Sequence, residues 1–497
     1  MPDLLKVIMR NFKLPALYRG TSLLILAALA QVLQAQQSNT LFFMHSLPES
    51  NFINPAVQIE CKWFVGLPVI SSVHLHASNS GFTAAQLLKK NDAGGYRVDA
   101  DNVLNKLANR NLLTTELHTT ILALGLHRDD YYYTFTIMEK DNLAIMYSRD
   151  AIGFALKGNT QFEGQWINFR GTGILYNHVR EYAFGISKVK NSKLTLGARA
   201  RLLFGKLNLT TGRTQISMYT QENTFDLLFD VNARFNSSLP YSMGVGGQNI
   251  YRFNHMYDAG FSTYFFNRRN PGVAVDLGFI YKYSDRLTYS GSLLDLGMIL
   301  YRSNLTNYSV RGNYLYRGPI ADSILTEHYL WDVFDGLNAN TRVHLGYDPY
   351  VFVLDPRLYL GATYRFNNRY YGNLLLYNRF LPVKIQTSVT ASVTTKLLKN
   401  LEASVSWSYM NRSVANLGIG FGYGKTPVQI YLVSDNVLGF ILPMSTKNVN
   451  LRFGLNLNFG CRGELDINQC GCAWLRDAAK HSSRNEEFRR GKKVRSK

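Results

Sequence analysis

From residue 383 to residue 459 apolar and polar side chains alternate with a period of two. Val383, Ile385, Val389, Ala391, Val393 and Leu397 fall on one parity, and Lys384, Gln386, Ser388, Thr390, Ser392, Thr394 and Lys396 on the other. Past a turn at Leu398-Lys399-Asn400, Leu401, Ala403, Val405, Trp407 and Tyr409 alternate with Glu402, Ser404, Ser406 and Ser408. Val449 to Phe459 repeats the pattern against Asn450, Arg452, Asn456 and Asn458. Such alternation predicts strands with one apolar and one polar face. A soluble sandwich alternates too, and strand length separates the two cases. These runs reach ~10–15 residues, where soluble strands average about 5–6 and tilted membrane-spanning strands need roughly 9–11. Tyr409, Tyr423 and Phe459 lie near strand ends, where interfacial aromatic girdles belong. The predicted fold is all-β, a transmembrane antiparallel β-barrel whose apolar face meets lipid. Single-chain bacterial barrels are even-numbered, and the runs of adequate length give about 14 strands, with roughly 12 to 16 allowed. Closure predicts that Val449–Phe459 pairs with the first strand, Val57–Leu67.

Along the rest of the chain the pattern divides into an address, a barrel and a tail. Residues 1–35 carry Lys6, Arg10, Lys13 and Arg19, an apolar run Leu23–Ala30, and Ala35 before Gln36. This predicts a signal peptide cleaved near Ala35 and a mature protein in the outer membrane. Residues 36–459 form the barrel, starting with a polar, turn-rich stretch at 36–56. Within it, 81–113 reads as a partly helical insert, with Asp101 as a cap and Val103, Leu104, Leu107 and Ala108 on one face. Such a piece belongs inside the lumen as a plug or outside the membrane as a cap. Strands are predicted at 116–126, 131–139, 142–149 and 151–158, with a turn at Lys140-Asp141-Asn142, and a hairpin over 181–209. A long loop is read at 236–270 and a second insert at 320–338. Residues 460–497 form a basic periplasmic tail, largely disordered.

Composition changes this picture little. The net charge is +20, but the excess is spread over strands and turns, without a clustered helix or RNA-binding motif. That points away from nucleic acid and toward anionic lipid headgroups or an anion-preferring lumen. Arg199, Arg201, Lys384, Lys396, Glu402 and Arg452 fall on polar parities, so they are the lumen-lining candidates: if they line one channel it is mostly positive, and otherwise they are solvated or pair with plug residues. Gly418, Gly420 and Gly422 share the inward parity and form an inner-wall strip. Either the wall bends there, or a plug or ligand approaches closely. Of the four cysteines, Cys61, Cys461, Cys470 and Cys472, those of the tail could form a disulfide in an oxidising compartment or stay unpaired. His74 and His76 alternate on one face, with His118 and His127 elsewhere. No carboxylate pair beside them completes a metal site, so they read as polar lumen residues. A Gly-x-Ser-x-Gly elbow and a phosphate-binding glycine loop are both missing. We expect no enzyme, no cofactor and no metal.

Four strings carry a resemblance: Asn54-Pro55-Ala56, Asp276-Leu277-Gly278, Asp295-Leu296-Gly297, and Ser434-Asp435-Asn436 followed by Arg452-Phe453-Gly454-Leu455-Asn456. In this order they resemble an uncharacterised outer-membrane barrel family of Bacteroidota, similar in shape to fatty-acid transporter-like barrels and to barrels associated with type IX secretion. The resemblance covers nearly all of the mature chain and implies location and fold more firmly than activity. Two functions follow as expectations. One is a channel or facilitator for small or amphipathic solutes. The other is a non-enzymatic structural or secretion-associated barrel that docks periplasmic or secretion-machinery proteins through its loops or tail. Outer-membrane lipid is the common partner.

Overall fold

The computed structural model describes residues 38–461, except 60, 91–94, 240–265, 318–340, 383–384, 399, 411–412, 415 and 425. The expected signal peptide, the insert at 320–338, Lys384 and the tail beyond Cys461 lie outside the described residues.

The wall is a closed antiparallel barrel of 14 strands. Its first strand is broken in two, β1 (Trp63–Gly66) and β2 (Val73–Asn79), around Pro68. A small pair, β3 (Leu88–Lys90) and β4 (Tyr96–Val98), stands apart from the wall. The wall continues with β5 (Arg110–Arg128) and β6 (Tyr131–Ser148). After a short β7 (Trp166–Asn168) come β8 (Gly173–Val189) and β9 (Leu194–Thr220). The chain then forms β10 (Leu227–Ser238), β11 (Pro271–Lys282), β12 (Leu287–Tyr301), β13 (Leu305–Tyr316), β14 (Arg342–Gly346), β15 (Tyr350–Val353) and β16 (Arg357–Arg365). The regular ladder follows: β17 (Tyr370–Phe380), β18 (Ile385–Leu398), β19 (Leu401–Met410), β20 (Leu417–Tyr423), β21 (Val428–Ser434) and β22 (Asn448–Phe459). Closure is made by β22 pairing with both halves of the first strand, Trp63 opposite Phe459 and His74 opposite Arg452. Of the expected closing partner Val57–Leu67, only Trp63–Gly66 is strand among the described residues.

The two faces of the wall are inverted relative to a soluble protein. Val389, Val393, Val405, Trp407 and Tyr409 are exposed, while Ser388, Thr390, Ser392, Thr394, Ser404, Ser406 and Ser408 are buried. An apolar outside with a polar inside is the pattern that lipid imposes on a barrel.

One end of the barrel has short turns, such as those joining β5 to β6 and β8 to β9. The other end carries the long connections. There β9 outgrows the wall: Leu194–Phe204 pairs with β11, while Asn208–Thr220 pairs with β10. β10 pairs with β13, β13 with β14, and β7 with Ser217–Tyr219 of β9, so a five-stranded sheet extends past the rim. Residues expected as loop from 236 are thus partly strand.

The insert at 81–113 is a cap at this loop end. It contains one helical turn (Ala84–Leu87), the β3–β4 pair and a helix over Ala100–Lys106. It ends at residue 109, because Arg110 already belongs to β5. Asp99, rather than Asp101, caps the helix by accepting from Asn102 N at 3.0 Å. Asp101 instead pairs with Lys157 on a neighbouring helix, Arg149–Lys157. That helix occupies the stretch expected as a strand at 151–158, and Ser148 caps it. Lys140-Asp141-Asn142 is no turn: it sits inside β6, where Lys140 and Asn142 face the lumen and Asp141, on the opposite face, accepts from Tyr176 Oη at 3.0 Å.

Candidate functional site

The lumen is filled by the N-terminal stretch, which its polar composition did not single out. Residues 38–61 run through the interior with two short helical pieces, Leu41–Phe43 and Ser50–Ile53. A segment without regular structure leaves most backbone groups unpaired, and inside a barrel the wall must satisfy them. Asp435 accepts the amides of Asn39 at 3.1 Å and Thr40 at 2.6 Å. Ser292 donates to Ile53 O at 2.6 Å, and Arg199 Nη2 to Phe52 O at 2.7 Å. Ser187 donates to Ala56 O at 3.1 Å and accepts from Gln58 Nε2. Apolar plug side chains (Leu41, Phe42, Met44, Leu47 and Ile53) pack on Leu294, Tyr359, Leu375, Tyr377, Tyr431 and Val433 of the wall. At its base, Cys61 forms a disulfide with Cys461, 400 residues away, just past the last strand. Of the tail cysteines, read as either disulfide-forming or unpaired, Cys461 is bonded, but to Cys61 at the base of the plug; Cys470 and Cys472 lie outside the described residues.

Glu49 sits at the bottom of the plug, 1% exposed, with Oε1 accepting from Asn456 Nδ2 at 2.8 Å and Oε2 unpartnered. Burial pushes its carboxyl up to about 7, against smaller opposing effects of Asn456 and Arg452.

Above the plug the wall carries a charged waist. Arg201 reaches Glu181 (3.1 Å), Asp276 (3.0 Å) and Asp295 (2.6 Å), while Arg199 pairs with Asp276 at 2.9 Å. Lys140 pairs with Glu181, Arg357 with Asp295, and Arg379 with Glu116 and Asp355. A bulge in the β11–β12 pair places two of the carboxylates: the register shifts at Asp276, and Asp295 adopts φ 62° and donates its amide to Asp276 Oδ1 at 2.8 Å. Of the two readings for these charges, the mostly positive channel is the one that fails here. Five cations meet five carboxylates from elsewhere in the chain. Buried pairs of this kind fix geometry more than they add stability.

The sequence candidates divide accordingly. Arg199 and Arg201 belong to the waist. Arg452 is buried beside it, donates to Ser72 Oγ at 3.1 Å, and leaves Nε unpartnered. Glu402 lies lower and is held by Ser46 of the plug, while Lys396 stands opposite Glu402 in the β18–β19 register. Gly418, Gly420 and Gly422 face the plug. A Cβ on each would meet Thr40 Oγ1 at 2.8 Å, Met44 Sδ at 2.4 Å and Leu47 Cδ2 at 2.9 Å respectively. Of the alternatives read for this strip, the close approach of a plug is the one the geometry contains. Sequence reasoning missed Glu116, Glu181, Arg357 and Arg379, which sit on inward strand positions, and Asp355, which lies in the link between β15 and β16.

Toward the loop end the lumen turns apolar on one side. A cavity there is lined by Leu143, Ala144, Leu175, Val179, Leu203 and Phe352, with waist charges such as Lys140, Arg201, Arg357 and Arg379 as its floor.

A family model described as a family of unknown function (DUF5723) matches residues 55–435. No curated protein matches the chain. Among solved structures it is similar to a mutant of the monoaromatic hydrocarbon channel TodX, with a TM-score of 0.39, 11% identity, and coverage of 83% of this chain and 94% of that one. It is also similar to the toluene transporter TbuX of Ralstonia pickettii, with a TM-score of 0.38, 10% identity, and coverage of 83% and 94%. For a FadL homologue of Pseudomonas aeruginosa the values are 0.36, 11%, 86% and 100%. Likeness of this degree carries no argument about function. The family match spans more than half of the sequence, and its span contains the plug's Pro55-Ala56, the two Asp-Leu-Gly strings of the waist and Asp435: the chain belongs to the family of unknown function DUF5723.

Proposed function

We propose that the protein is a non-enzymatic outer-membrane barrel that passes small amphipathic solutes when its plug gives way. The short-turn end is assigned to the periplasm and the loop end to the outside, as in outer-membrane barrels generally. The observation that carries the reading is the cavity above the waist, apolar on its walls and charged on its floor. A solute with an apolar body and a polar head matches both surfaces. The plug below closes the route, so transport requires its displacement. The test uses proteoliposomes loaded with an amphipathic fluorophore or with a sugar of similar size. Faster release of the fluorophore is expected, and more so once residues 38–56 are deleted. Equal release of both solutes, or release of neither after the deletion, would refute the reading.

A second reading, docking of periplasmic or secretion partners, draws on one observation. The sheet of β7, β10, β13, β14 and the far half of β9 extends past the rim and takes no part in closing the wall. A barrel that stays silent in the release assay but loses a bound partner when this sheet is trimmed would favour it.

A further inference from the structure

We infer that His74, Glu116 and His118 form a binding site for one divalent transition-metal ion of the zinc class inside the barrel. Strand register builds the site. His74 of β2 stands directly opposite His118 of β5, and His76 opposite Glu116. Residues 116 and 118 share a face because they are two apart on a strand. The three side chains therefore converge on the lumen, all at least nine-tenths buried. Their donor atoms lie within 4.8 Å of one another. Zinc sites with bonds of about 2.0–2.2 Å hold their ligand atoms roughly 3.3–3.5 Å apart, so small side-chain rotations complete the geometry.

Two further observations point to a ligand. His74 Nδ1 is buried with no hydrogen-bond partner, which a barrel interior rarely leaves without reason. The other donors are held from behind. Arg379 Nη1 binds Glu116 Oε1 at 2.6 Å, leaving Oε2, 3.8 Å from His118 Nε2, turned to the cluster. Asn142 Oδ1 lies 2.9 Å from His118 Nε2: ligation through Nδ1 keeps this bond as the outer partner, and ligation through Nε2 exchanges it for the metal. Such outer partners are what orient the ligands of a metal site. His76 is engaged with Thr114 Oγ1 at 3.2 Å and is not assigned as a ligand. Two imidazoles and one carboxylate suit zinc, cobalt or iron(II), and leave coordination positions open to the cavity beneath, which all three residues line. The sequence hid the site because its third and second ligands come from the strand across, not from the His74–His76 pair.

The neighbourhood sets a limit on affinity. Arg452 stands opposite His74, and its charge opposes a divalent cation. This gives the site a signature that a purely hydrogen-bonded cluster lacks: removing Arg452 must tighten metal binding.

The experiment titrates Zn2+ and Co2+ into untagged, chelator-stripped full-length protein in detergent. Heat-modifiable gel migration reports that each variant is folded. One equivalent per chain and Co2+ ligand-field bands are expected. His74→Ala and His118→Ala should each weaken binding by about a hundredfold or more, His127→Ala should not, and Arg452→Met should tighten it by about tenfold. X-ray absorption of the zinc-loaded wild type, which needs no variant, should show two imidazoles and a carboxylate. Absence of stoichiometric binding by the wild type, survival of binding in His74→Ala, or unchanged affinity in Arg452→Met would each overturn the proposal.

Discussion

Gly197→Ala should loosen the plug while leaving the wall intact. Gly197 lies on the inner face of β9, against the plug at Asn54-Pro55-Ala56. A Cβ placed there would stand 2.2 Å from the carbonyl carbon and oxygen of Pro55 and 2.4 Å from Ala56 N. Backbone has no rotamer with which to avoid a methyl group. To reach ordinary contact at 3.4 Å the plug must retreat by 1.2 Å, the difference of those two distances. Gly278 of β11 is the direct cross-strand neighbour of Gly197 and also meets the plug, with Asn54 Oδ1 against the site of its missing Cβ, so no free space lies beside Gly197 along the wall. A shift of this size breaks the bond from Ser187 to Ala56 O, now 3.1 Å, and the one from Asn54 Nδ2 to Phe279 O, now 3.3 Å. Overpacking costs about 1–3 kcal/mol, and each lost hydrogen bond about 0.5–1.5 kcal/mol. Their sum, about 2–6 kcal/mol, multiplies the released population of plug by at least ~30. Limited proteolysis of the 38–61 segment in detergent measures this directly, and release from proteoliposomes measures its consequence. Gly212→Ala, whose Cβ meets only atoms 3.8 Å away, is the control. If Gly197→Ala resists protease like that control, the packing argument for the plug is wrong.

What the sequence makes legible follows from which interactions are local. The alternation from Val383 to Phe459 is dictated residue by residue, because lipid meets one face and lumen the other, so parity alone places Val405 outside and Ser404 inside. The plug is different. Leu41, Phe42 and Met44 obey no period, since their partners on β16, β17 and β20 follow no order along the segment. The waist escapes for a related reason. Arg379 and Glu116 are 263 positions apart, and their pairing depends on how the barrel closes. Arg199 and Arg201 were readable as inward charges, but not as partners of Glu181, Asp276 and Asp295. Conversely, the strings behind the family resemblance mark this machinery. Asn54 and Pro55 rest on Gly278, Asp276 and Asp295 hold Arg201, and Asp435 receives Asn39 and Thr40. Each matters to an inward contact that no period reports.

The remaining predictions bear on the plug and on the wall. Glu49 binds its proton more tightly when the plug is docked, so docking should weaken as pH rises from about 4.5 to about 7, by about 3 kcal/mol in all, and level off above. Glu49→Gln should abolish this dependence in a pH series of plug proteolysis. Cys461→Ser should free the base of the plug, weakening its docking by about 2–4 kcal/mol, and remove the shift between reducing and non-reducing gels. For the wall, Val405 is half-exposed at the middle of β19, opposite Val393, and Val405→Arg should cost about 2–4 kcal/mol of folding at the bilayer midplane. Val428→Arg, on the same outward face but at the first residue of β21, should cost only about 0–1 kcal/mol. Ser404→Arg would be expected to be harmless if the lumen held water, but Ser404 is 1% exposed and bonded to Thr394, beside the glycine that packs on Met44. It should therefore fail as well, through crowding rather than through lipid. Deleting residues 38–56 separates the causes: it should rescue folding of Ser404→Arg and leave Val405→Arg defective. Rescue of both, or of neither, would show that the inside and outside of this hairpin have been misassigned.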